Sequence, residues 1–139
     1  MREILFRGKT YNDKWVQGLL VQMDDHLTQI RKLGSDGIGY YDYSIVPSTV
    51  GQYTGLTDKN GKKIFEGDIL KIVHKYQSPF DDDTKEYTDI TTDVVFFDDE
   101  GLCFSYGESP FLCVADNVTA EYEVVGNIHD NPELLEVTE

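Results

Sequence analysis

Asp58, Asn60, Gly61, Glu66 and Asp68 fall within one stretch, QYTGLTDKNGKKIFEGDILKI, residues 52–72. Carboxylates and amides at this density around glycines are the donors from which a hard-cation loop is built, and a Gly-rich turn can also cradle a phosphate. A calcium loop of the EF-hand type needs oxygen ligands at positions 1, 3 and 5, glycine at 6 and glutamate at 12. With Gly61 at position 6, Asp58 and Asn60 fall correctly at 3 and 5, but position 1 is Leu56 and position 12 is Gly67. Two principal ligands are missing. The phosphate alternative lacks the GxxxxGK[ST] spacing and a following helix. The stretch reads better as a hairpin: Asn60-Gly61 suits a two-residue type I′ turn, which pairs Asp58 with Lys63 and Leu56 with Phe65.

Other reactive side chains are dispersed. His26, His74 and His129 stand in no metal-ligand spacing, and His74 falls on the more apolar face of its expected strand, as a packed neutral imidazole would. Cys103 and Cys113 lie in apolar runs, LCFSY and FLCVA, and read as reduced small hydrophobes. No GxSxG motif occurs, and no Cys–His pairing is suggested by context. NVT at Asn117–Thr119 is a sequon without use in a cytoplasmic protein. The expectation is a protein without enzymatic activity, catalytic residues, metal or cofactor.

Charge narrows the partners. Residues 1–75 hold eleven Lys/Arg against nine Asp/Glu, whereas residues 76–139 hold one basic residue, Lys85, against seventeen acidic ones. A segment at −16 repels phosphate backbones, so direct nucleic-acid binding is disfavoured; attraction of a basic partner is physically reasonable, and solubility alone is the plainer account of the charge. Tyr40, Tyr41 and Tyr43 cluster with Asp42 and without a neighbouring Lys or Arg in sequence, and Trp15 stands alone. Base-stacking platforms pair their aromatics with cations, so these residues suit core packing or a protein contact. The candidate contact residues are Trp15, Tyr40, Tyr41, Tyr43 and the acidic run Asp81, Asp82, Asp83.

The elements that must position these residues are strands. Apolar residues recur with period two, and turn residues intervene every few positions. Strands are predicted over Glu3–Gly8, Trp15–Met23, residues 26–33, residues 38–46, Gly51–Leu56, Lys63–Phe65, Ile69–Tyr76, Thr92–Phe97, Leu102–Tyr106, Phe111–Val114 and Tyr122–Gly126. Residues 77–91 break the alternation as a polar, acidic loop insertion. Only DNPELLEV favours a helical turn, with Asn131 able to cap and Pro132 at the first position. The pattern argues for an all-β chain, a small barrel or a sandwich, with a short C-terminal helical turn. No apolar run is long enough for a membrane-spanning helix, and the N-terminus lacks a leader-like apolar core, so a cytoplasmic location is expected.

Three blocks, REILFRG at residues 2–8, VGQYTGLTDKNGKKIFEGDIL at 50–70 and YEVVGNIHDNPELL at 122–135, together resemble the YopX family of phage and prophage proteins. The resemblance implies an N-terminal β-rich hairpin or meander region, residues 1–50, followed by an SH3-like small barrel, residues 51–139. It transfers no catalytic residue. The leading expectation is a protein-interaction module that binds a protein partner or itself. The alternatives are an acidic mimic of nucleic acid occupying a basic host or phage protein, and a weak nucleic-acid-binding module using Arg2, Arg7, Arg31 and Lys32.

Overall fold

The computed structural model describes residues 4–24, 27–34, 37–77, 86–98, 103–106 and 120–135. These residues form ten strands and two single turns of 3₁₀ helix, and every strand pairing is antiparallel. The all-β expectation holds. The chain divides into two compact units, 1–55 and 56–139.

In the first unit β1 (Phe6–Lys9), β2 (Trp15–Asp24), β3 (Leu27–Leu33), β4 (Tyr40–Ser44) and β5 (Gly51–Thr57) lie in the order β4-β3-β2-β1-β5. Strict alternation assigns their faces. Val16, Ile30 and Ile45 are buried on one face and gather Phe6, Leu20 and Val50 around them. The intervening residues of β2 and β3, among them Gln17, Leu19 and Arg31, occupy the opposite face. After β4, Ile45 bridges Thr10, and the turn Pro47–Thr49 leads into β5 beside β1. Thr49 secures this corner: its Oγ1 accepts from the Lys9 amide at 2.8 Å and donates to the Val46 carbonyl at 2.6 Å.

The second unit takes over at the end of β5, which is followed by β6 (Lys63–Phe65), β7 (Asp68–Gln77), β8 (Glu86–Asp98), β9 (Cys103–Tyr106) and β10 (Ala120–Asn127). Four of these form a sheet ordered β10-β7-β8-β9. Leu70, Ile72 and Tyr122 alternate onto one face and pack with Ile64, Val95 and Ala120 into a closed apolar cluster. Burying aliphatic and aromatic side chains of this size stabilises by about 1.5–3 kcal/mol each. β10 carries a bulge between Val124 and Gly126, after which its pairing with β7 resumes through Asn127 and Asp68. Neither sheet closes on itself through the described pairings.

Two sequence expectations are corrected. β8 begins at Glu86, not Thr92, and pairs with β7 out to Gln77, so residues 86–91 are ladder and not loop. Apolar β7 supplies the pairing that the polar residues of early β8 do not advertise. The hairpin at Asn60-Gly61 also has a different turn. The Gly61 amide donates to the Asp58 carbonyl at 3.0 Å and the Asp58 amide to the Lys62 carbonyl at 2.8 Å, with Gly61 at φ 81. That is a three-residue loop with its last residue left-handed, in which Asp58 faces Lys62 and not Lys63. The β1–β2 connection repeats it: Asp13 donates to the Thr10 carbonyl, Thr10 to the Lys14 carbonyl, and Asp13 sits at φ 64.

Candidate functional site

The cation-like stretch resolves into a structural hub. Asp58 is buried, and its Oδ1 accepts from the amides of Asn60 and Lys62, each at 2.9 Å. Its Oδ2 accepts from the Val124 amide at 3.0 Å. Burial pushes this carboxyl up. The hydrogen bonds from Val124, Lys62 and Asn60 outweigh that, with help from the Lys62 charge, and hold it below the ordinary carboxylate value. The Lys59 amide adds a bond to the Tyr122 carbonyl at 2.9 Å, and Lys59 Nζ approaches Glu123 at 3.6 Å. Asp68 is buried beside the next turn and accepts from the Phe65 amide at 2.7 Å. Both oxygens of Asp58 and Oδ2 of Asp68, which suggested a cation, accept from backbone amides. Among the described residues no group of three or more His, Cys, Asp or Glu side chains is placed to hold a metal ion.

The aromatic candidates lie on the first unit. All five residues of β4 are exposed, and β4 is the terminal strand of its sheet. Register decides what surrounds them. Arg31 of β3 faces Asp42 and Lys32 faces Tyr41. The Arg31 guanidinium grips Asp42 at 2.9 and 3.1 Å and stands 4.0 Å from the centre of the Tyr40 ring. The hydrogen bond between them raises Arg31 further above its usual value and lowers Asp42. Cations absent from the sequence neighbourhood of Tyr40 are thus supplied by the adjacent strand. Trp15 has the same company: Arg7 lies 4.9 Å and Lys9 5.9 Å from its ring. No local sequence signal reveals these partners; they follow only from the registers of β1 with β2 and β3 with β4.

Trp15, Leu19, Arg31, Leu33 and Tyr40 therefore share the face opposite the core, while Tyr41 and Tyr43 alternate onto the other side of β4. Leu33 is 71% exposed, Leu19 57% and Tyr40 56%. Leu5, Gly18, Leu19, Arg31 and Leu33 line an open, mainly apolar depression of about 440 Å³. At the β4 edge a second groove of about 360 Å³ runs between the Thr10–Lys14 turn and Asp42–Ser44, with Val16 at its base. Asp81, Asp82 and Asp83 lie outside the described residues. Of the acidic positions on the second sheet, Asp89 and Asp93 share the face of Leu70, whereas Glu121 and Glu123 take the opposite one. Among the described residues no helix is long and apolar enough to cross a membrane.

The match to the YopX protein family covers residues 5–136. The chain belongs to the YopX family. Two of the blocks that carried the resemblance meet twice: the Val124 amide donates to Asp58 Oδ2, and the Ile128 amide donates to the Gly67 carbonyl at 3.0 Å beside the Asn127–Asp68 pair. Among solved structures the chain is similar to the crystal structure of protein EF1440 from Enterococcus faecalis, with 24% identity and a TM-score of 0.49 over 98% of this chain and all of the other. No curated protein matches.

Proposed function

We propose that this YopX chain is a binding protein without catalytic function, and that it docks a basic protein on the outer face of its first unit. The observation that carries the reading is the grouping of exposed Leu19, Leu33 and Tyr40 around Arg31 on three adjacent strands, with Leu19, Leu33 and Arg31 lining one apolar depression. Exposed apolar clusters of this kind, anchored by aromatic and Arg side chains, are the usual centre of protein contacts. Charge sets the partner's chemistry. Residues 56–139 hold six Lys/Arg and twenty Asp/Glu, a balance of −14 that steers basic proteins toward the chain. The SH3-like reading of the second unit, a cytoplasmic location and a phage setting belong to the same proposal.

The test is affinity capture from cells of the encoding host, with wild type and the Leu19→Glu/Leu33→Glu double variant as parallel baits. A basic protein retained by wild type, lost with the variant and weakened by salt supports the reading. Equal retention by both baits removes the outer face from the function.

A further inference from the structure

We infer that β4 is the seam of a two-fold dimer, in which the β4 edges of two copies of this chain pair antiparallel. The inference rests on the binding-protein reading and specifies self-association as one of its contacts. Two hydrogen bonds fix which groups β4 turns outward. The Ile45 amide donates to the Thr28 carbonyl at 2.9 Å and the Gly34 amide to the Gly39 carbonyl at 2.8 Å. In an antiparallel ladder bonded and non-bonded pairs alternate, so Tyr41 and Tyr43 bond to β3. Tyr40, Asp42 and Ser44 then direct their amides and carbonyls to the open edge.

Such an edge is normally blunted by lysine, proline, a bulge or an unpaired charge. Residues 40–44, YYDYS, contain no lysine or proline, and the ladder with β3 runs without a register shift. The single charge, Asp42, is neutralised by Arg31 of the same copy. The strand is also held in place before any partner arrives, by that ion pair on one side and the Thr10–Ile45 bridge at its end.

Charge selects a second copy and the unit it can use. Residues 1–55 hold six Lys/Arg and six Asp/Glu, so first units meet without net repulsion, while the −14 of residues 56–139 keeps second units apart. Register follows from the same reasoning. A two-fold axis at Asp42 would set two carboxylates opposite each other. An axis at Tyr41 sets Tyr41 against its copy, places Tyr40 across from Asp42, and brings Ile38, 89% exposed, alongside Ser44 at the groove between β4 and the Thr10–Lys14 turn. The outward amides and carbonyls of Tyr40 and Asp42 exchange bonds across the seam, and an apolar side chain leaves water.

Sedimentation of the full chain over a wide concentration range, at low and high salt, tests this together with residue-resolved amide exchange. The expected result is a concentration-dependent dimer that strengthens with salt, as screening relieves second-unit repulsion. Its formation slows exchange of the Tyr40 and Asp42 amides and leaves those of Tyr41 and Tyr43 unchanged. Tyr41→Lys, an exposed substitution that sets two ammonium groups face to face, returns the mass to monomer. A wild type that remains monomeric at every concentration and salt overturns the inference. So does a dimer in which the Tyr40 and Asp42 amides exchange as fast as in the monomer. Should Tyr41→Lys not fold, wild-type exchange decides alone. A monomer that still captures a basic protein sinks the dimer and leaves the binding function standing.

Discussion

Asp58 Oδ2 accepts the amide of Val124 at 3.0 Å, a bond that spans 66 residues of sequence and fastens the β5–β6 hairpin to β10. The same carboxylate closes its own loop through Asn60 and Lys62. One buried side chain thus fixes a turn and a tertiary contact together, which explains why an acidic residue occupies a site beside an apolar cluster.

Replacing Asp58 tests that double role. Asp58→Ala removes three charge-assisted bonds and leaves the Val124 amide facing a void, a loss of about 3 kcal/mol. Asp58→Asn keeps the shape but turns an amide donor toward one of the donors that the carboxylate satisfied, so about 2 kcal/mol is lost. Denaturant unfolding of the purified variants measures both. A change within about 0.5 kcal/mol, the range of an ordinary surface substitution, would contradict the hub.

The pH dependence follows with a defined sign. The folded-state value of Asp58 lies below the ordinary carboxylate value of 3.8, so its contribution is complete above the unfolded value and is lost as pH falls through the folded one. Protonation elsewhere relieves the self-repulsion of the acidic second unit and works in the opposite direction. The difference between wild type and Asp58→Asn isolates the one group. Their melting temperatures should differ by a constant amount above about pH 5 and converge below about pH 4. A gap that stays constant through that acid range would assign the wild-type advantage to shape alone.

How much of this was legible in sequence depends on the range of the interaction that decides it. Period two placed Leu70 and Ile72 on one face, and Lys63–Phe65 was expected with its observed bounds. The Asn-Gly turn was located, but its type was not. Asn-Gly fits both a two-residue loop and a three-residue loop, and the choice falls to Asp58, whose carboxylate caps Asn60 and Lys62 only in the latter. The Arg31–Tyr40–Asp42 cluster was illegible for another reason. Its members are neighbours across a ladder, and a shift of one residue in register would have put Arg31 on the other face.

The two three-residue loops give a reciprocal prediction. Thr10 Oγ1 accepts from Asn12 at 3.3 Å and Lys14 at 3.2 Å, as Asp58 Oδ1 does from Asn60 and Lys62. Their left-handed positions differ: Asp13 at φ 64 against Gly61 at φ 81. A side chain costs something there that glycine does not. Asp13→Gly should therefore stabilise by about 0.5 kcal/mol, the exposed ion pair of Asp13 with Lys9 at 3.7 Å offsetting part of the gain. Gly61→Asp should destabilise by about 1 kcal/mol. Equal and negligible effects at both sites would mean that the shared hydrogen-bond skeleton tolerates either residue without strain.

Gly18 links the fold of the first unit to its binding face. A Cβ at this position would overlap the Arg31 carbonyl oxygen, a backbone atom that cannot swing aside, and would also press on Ile30. Gly18 lines the apolar depression together with Leu19, so the β2–β3 spacing it permits sets the width of the proposed docking surface. Gly18→Ala should destabilise by about 2–3 kcal/mol, because the two strands must part to admit one methyl group. The amides of Leu20 and Ile30, which flank the parted ladder, should exchange faster in the variant, while those of Leu70 and Tyr122 in the second unit keep their wild-type protection. Unchanged exchange at Leu20 and Ile30 would show that β2 and β3 can accommodate a side chain at position 18, and that their close approach does not shape the face.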